Sequence, residues 1–151
     1  MEYYWWIIIS LGIVLIGIAA FAVAITNSRK KSIEQKIRVL GQYENGILKL
    51  CEKKFLVTIV HAGHCSEVTI NSRRIIDLST TSGHKLIGIS QTDNINLIVV
   101  CGFAGRIKRY VNENEMEFIT YKDLFWNMYV CNIEELELLK EHLSVANNEN
   151  I

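Results

Sequence analysis

Nineteen consecutive residues without a charge, Ile7 to Ile25 (IIISLGIVLIGIAAFAVAI), constrain this 151-residue chain more than any other feature. As an α-helix rising about 1.5 Å per residue they extend roughly 28 Å, close to the thickness of a bilayer's hydrocarbon core. Tyr3, Tyr4, Trp5 and Trp6 precede the run, and Arg29, Lys30 and Lys31 follow it. Amphipathic rings and cations suit the two headgroup layers, so Trp5, Trp6, Arg29, Lys30 and Lys31 are the expected interface residues. Before the run the only charged side chain is Glu2. The positive-inside bias then puts the N-terminus outside and everything after Arg29 in the cytoplasm, with the chain crossing the inner (cell) membrane once.

A cleaved signal peptide is the competing reading, because Ala22-Val23-Ala24 has the small-x-small form that signal peptidase accepts. Signal peptides open on Lys or Arg and have shorter apolar stretches, which favours the anchor. Within the run, Ser10, Gly17 and Ala24 recur every seven residues with Ala20 between them. That seam lets a second helix approach closely, so homo-oligomerisation is expected there.

The rest of the chain, about 120 residues, is enough for one globular core. The expected organisation is an anchor over 1–28, a juxtamembrane basic helix over 29–41, a cytoplasmic β-rich domain over 42–143 and a flexible tail over 144–151. Ser32-Ile33-Glu34-Gln35 has the form of a helix N-cap with Gln at N3, and Gly41 can end that short helix. After the turn signal Asn45-Gly46 come runs rich in Ile, Val, Phe and Thr. Strands are expected at 47–50, 55–61, 67–70, 74–79, 85–90, 95–103, 106–111, 116–121 and 125–130. The 95–103 run is almost wholly apolar and should be covered on both faces. Asn132, with Glu135 three residues on, caps a helix whose Leu136, Leu139 and Leu143 form one stripe.

The fold class is therefore α+β: one N-terminal transmembrane helix, then a small, mainly antiparallel β domain closed by a C-terminal amphipathic helix. This element order is similar to that of pleckstrin-homology-like and other small α+β barrels. The analogy concerns order alone, and a shared fold does not transmit function.

Motifs for chemistry are sparse. Cys51, Cys65, Cys101 and Cys131 form no CxxC pair, which argues against a zinc ribbon and suits reduced thiols. His61, His64 and Cys65, with His84 farther on, are the densest set of metal-ligand types, but such spacing beside a turn arises readily by chance. Asp77, Asp93 and Asp123 make no carboxylate pair. Gly102-Phe103-Ala104-Gly105-Arg106 lacks the GK[ST] end of a P-loop, so a strand bend explains it better than a phosphate cradle. No catalytic residue, metal site or cofactor is assigned.

Charge says more. Sixteen Lys+Arg balance sixteen Asp+Glu, which excludes a strongly basic nucleic-acid coat, and no duplex nucleic acid is expected as a partner. The balance hides two opposed halves: residues 29–110 carry fourteen Lys+Arg against six Asp+Glu, whereas 111–151 carry two against nine. Arg73, Arg74, Arg106, Lys108 and Arg109 are the expected ligand-binding set, since strand alternation puts Arg106 and Lys108 on one face. The expected function is a non-enzymatic sensor or effector that binds an anionic ligand, such as a nucleotide messenger, and acts through clustered membrane helices. The alternatives are a scaffold or assembly subunit that recruits a protein partner to the membrane, and a membrane-tethered hydrolase or metal enzyme.

Overall fold

The computed structural model describes residues Glu2–Asn148. Helix α1 spans Glu2–Leu40 without interruption. The separate helix expected from Ser32 is therefore absent, because no Pro or Gly between Ile25 and Leu40 stops the preceding turns. Lys30 and Glu34, 4.0 Å apart at i,i+4, bracket Ser32 inside the continuing helix. α1 is long and apolar enough to span a membrane. Polar side chains in and just after the apolar run are satisfied locally: the Ser10 hydroxyl donates to the Ile7 carbonyl at 2.9 Å and Thr26 to the Ala22 carbonyl at 2.9 Å. The chain divides into two compact units between Lys36 and Ile37, so the last turn of α1 belongs to the second unit.

That second unit contains β1 (Gln42–Glu44), β2 (Ile47–Leu50), β3 (Lys53–His61), β4 (Glu67–Thr69), β5 (Ile75–Thr80), β6 (Gly83–Gly88), β7 (Ile95–Cys101), β8 (Lys108–Asn112), β9 (Glu115–Phe118) and β10 (Met128–Asn132). A short 3₁₀ turn, Ile133–Glu135, leads into α2 (Leu136–Asn148). The strands form two five-stranded sheets, ordered β1-β2-β3-β7-β10 and β6-β5-β4-β8-β9. Both are mixed. In the first, β1–β2 and β2–β3 are antiparallel hairpins, while β7 pairs parallel with both β3 and β10. In the second, β4–β5, β5–β6 and β8–β9 are antiparallel, and β4 meets β8 through one parallel bridge, Thr69 to Lys108.

Parallel neighbours need a crossover, which is usually a helix. Here strands of the second sheet serve instead: β4–β6 intervene between β3 and β7, and β8–β9 between β7 and β10. A sequence with no helical pattern between its strands looks antiparallel for that reason. The result is two open sheets rather than a closed barrel.

Register explains the core. Val60, Ile98, Val100, Met128 and Val130 share one face of the first sheet and pack with Val68, Ile70, Ile76 and Leu78 of the second. The other face carries the buried Leu48, Phe55, Leu97, Val99 and Cys131. Ile37 and Leu40 of α1 and Leu136, Leu139 and Leu143 of α2 are also buried, outside the cluster between the sheets, and Lys140 Nζ of α2 donates to the Val39 carbonyl of α1 at 3.5 Å. β7 is thus enclosed on both sides, and only its first residue is less than fully buried. Glu135 Oε2 accepts the Asn132 N–H at 2.8 Å, the reciprocal half of a capping box. The tail expected from Ser144 is helical as far as Asn148, since no Gly or Pro intervenes and the Ser144 hydroxyl folds back on the Lys140 carbonyl at 2.8 Å. Residues 149–151 lie outside the described residues.

Candidate functional site

Of the five cations expected to bind a ligand, two are paired with carboxylates. Lys108 Nζ lies 3.3 Å from Glu67 Oε2, and Arg109 forks onto Glu117 Oε2 at 2.6 and 2.8 Å. Both are thereby committed to carboxylates. Arg106 stands over the Phe118 ring, 5.1 Å from its centroid. Arg73 and Arg74 occupy the exposed β4–β5 turn, which is tied to β8 by the bond from the Tyr110 N–H to Asn71 Oδ1 at 2.8 Å. Arg106 precedes Tyr110 by four residues, roughly 13 Å of extended chain.

Glu67 organises the outer face of the second sheet. It accepts from Thr69 Oγ1 at 3.0 Å, Lys108 Nζ at 3.3 Å and the Tyr110 hydroxyl at 3.4 Å. Partial desolvation pushes its pKa up, but the bonds from Thr69 and Lys108, the lysine's charge and the Tyr110 hydroxyl together pull it below the usual carboxylate range. Along one row Phe118, Lys108, Thr69, Asp77 and Leu86 are successive cross-strand partners. Phe118, Leu86, Tyr110 and Met116 are exposed around this polar centre.

Other candidates resolve as structure. Gly102, at φ +76°, passes so close to Gly63 that a Cβ there would lie 3.1 Å from the Gly63 Cα, and Phe103 is buried in the core. The GFAG segment is therefore a bend between the sheets. Among the described residues no group of three or more His, Cys, Asp or Glu side chains comes together to hold a metal ion. His84 Nδ1 instead meets Asp77 at 3.0 Å. All four cysteines are thiols; Cys101 and Cys131 are buried, and burial first, then Glu135 and Cys101, push the Cys131 thiol far up.

A different group of cations borders an open cleft of about 570 Å³ lined by Arg38, Gly41, Gln42, Tyr43, Glu44, Asn45, Ile47, Lys49 and Lys54. It is built by two tight hairpins. Asn45 (φ 51°) and Gly46 (φ 80°) join β1 to β2, and Cys51 (φ 49°) and Glu52 (φ 63°) join β2 to β3. Two positive φ values in each loop match the type I′ geometry that suits the strand twist. With only two residues between the strands, Lys49 falls opposite Lys54, and Gln42 opposite Lys49. Alternation puts Gln42, Glu44, Ile47, Lys49 and Lys54 on one face. The end of α1 forms the adjoining wall: a Cβ on Gly41 would collide with the Lys49 carbonyl oxygen, so only glycine lets the backbones approach. Arg38, Lys49 and Lys54 are exposed, and among the described residues none of them makes an ion pair.

Arg38 was legible as part of the basic segment after the apolar run; Lys49 and Lys54 were not. The signal that finds them is hairpin register, since two lysines five apart around a two-residue loop must face each other. No protein-family model, curated protein or solved structure matches the chain.

Proposed function

We propose that this protein is a single-pass, membrane-anchored, non-enzymatic binding protein whose β-rich domain takes a small anionic ligand in the cleft of Arg38, Lys49 and Lys54. Its N-terminus lies outside and its domain in the cytoplasm, as the cations after the apolar run favour. The observation that carries the ligand reading is the facing pair Lys49 and Lys54, joined by Arg38. Like charges directly opposite on a sheet are destabilising, and an anion between them reverses that term. The two cations of β8, Lys108 and Arg109, lack this quality because Glu67 and Glu117 already neutralise them.

As a sensor or effector, the protein transmits occupancy through its apolar helices, where Ser10, Gly17, Ala20 and Ala24 are all exposed and offer a close-packing seam. Such coupling requires the ligand to prefer one helix arrangement over another. The test uses full-length protein in lipid nanodiscs, titrated calorimetrically with a panel of small anions. Binding that is lost on combining Lys49→Gln with Lys54→Gln is the expected result. A panel without heat, in a sample that unfolds cooperatively, refutes the reading.

A second reading, a scaffold that recruits a protein, is favoured by exposed Tyr110, Met116, Phe118 and Leu86 on the outer face of the second sheet. Recovery of a stoichiometric partner from solubilised membranes, abolished by Phe118→Asp, distinguishes it.

A further inference from the structure

The cleft's charge defines its ligand more narrowly than "anion". Its lining contains three cations, Arg38, Lys49 and Lys54, and one carboxylate, Glu44, a formal net of +2. A monocarboxylate or a single phosphodiester group brings one negative charge and leaves one cation uncompensated. A phosphomonoester carries about −1.5 to −2 at neutral pH and three acceptor oxygens. Arg38 supplies a planar fork for two of those oxygens, and the lysines supply compact point charges. We infer that the cleft is a receptor for a small phosphomonoester, with the dianionic phosphate held among Arg38, Lys49 and Lys54.

Glu44 fits this ligand as well. It repels a phosphate placed beside it, but accepts hydrogen bonds from hydroxyl groups on the body of a sugar or nucleoside phosphate. The volume of about 570 Å³ suits a ligand of that size rather than bare phosphate. A lipid whose headgroup ends in a phosphomonoester has the same chemistry, and the experiment separates the two sources. The inference rests on the cleft reading proposed above and adds the ligand's charge state.

The experiment uses the full chain in nanodiscs of neutral phosphatidylcholine, titrated with AMP, inorganic phosphate, dimethyl phosphate and acetate. AMP and inorganic phosphate are expected to bind at least about ten-fold more tightly than the two monoanions, with affinity rising from about pH 5.5 to about pH 7.5 as the phosphate loses its second proton. Lys49→Gln with Lys54→Gln is expected to weaken AMP by about ten-fold or more; Arg38→Gln alone is the second variant should the double one fail to fold. Adding phosphatidic acid to the nanodisc distinguishes the two sources: weaker AMP binding assigns the cleft to a lipid phosphomonoester, and unchanged AMP binding assigns it to a soluble one. Equal affinity for dimethyl phosphate and inorganic phosphate overturns the phosphomonoester claim while preserving an anion site. Absence of binding by all four probes overturns both.

Discussion

The four cysteines show how burial sets the chemistry of a single residue type. Cys51 and Cys65 are half-buried, whereas Cys101 and Cys131 are buried. Only the thiolate reacts readily, and an apolar surrounding disfavours it. Iodoacetamide should therefore label Cys51 and Cys65 in the native protein and reach Cys101 and Cys131 only in denaturant; mass spectrometry of the labelled peptides checks this. Glu67 gives a second prediction. Its carboxyl is held below its ordinary value of 4.5, so it favours folding at pH above that value, and the contribution disappears as pH falls through the lower folded value. Because Glu67 stays in contact with solvent at the sheet surface, the effect is about 1 kcal/mol or less. Glu67→Gln should lower the Tm slightly near neutrality, and the gap between the two proteins should close on acidification below about pH 4. A gap that widens in acid contradicts the pairing with Lys108.

At the scale of elements, the turns decided what could be read without coordinates. Asn45-Gly46 carries its conformation in its composition, since both residues tolerate positive φ, and β2 after it was legible to the residue. Cys51-Glu52 and Trp126-Asn127 adopt the same pair of positive φ values without a glycine. The first hid the facing of Lys49 and Lys54; the second made β10 look as if it began at Phe125 rather than Met128. β1 was missed because three polar or aromatic residues show no period. Tertiary pairing forces these loops, and the force has a cost. A β-carbon in the left-handed region costs about 1–2 kcal/mol, partly offset when glycine replaces it by the greater freedom of the unfolded chain. Glu52→Gly should thus stabilise the protein by about 0.5–1 kcal/mol, while Gly46→Ala should destabilise it by a similar amount or more. Urea denaturation of the two variants against the parent measures both signs, and a loss on Glu52→Gly would mean that Glu52 contributes contacts beyond its backbone.

At the scale of the molecule, the boundary between the two units falls inside a helix, not at its end. The apolar run of α1 was legible because bilayer-length hydrophobicity is written in consecutive residues. The burial of Ile37 and Leu40 could be anticipated only as a helical face, since a neighbour of this turn such as Lys140, which donates to the Val39 carbonyl at 3.5 Å, lies about a hundred residues along the chain. Full burial of each side chain contributes about 1.5–3 kcal/mol, so the pair contributes about 3–6 kcal/mol, against a total of about 5–15 kcal/mol for an ordinary domain. The last turn of α1 is therefore part of the globular unit's stability as well as one wall of the cleft. A chain beginning at Ser32 keeps both residues and should unfold cooperatively. One beginning at Gln42 loses them, together with Arg38 and the Gly41 contact with β2, and should be destabilised by about 3–6 kcal/mol. Thermal unfolding followed by circular dichroism compares the two: equal stability would mean that Ile37 and Leu40 are buried without holding the sheets, whereas loss of the transition in the shorter chain alone would tie the helix's final turn to the fold.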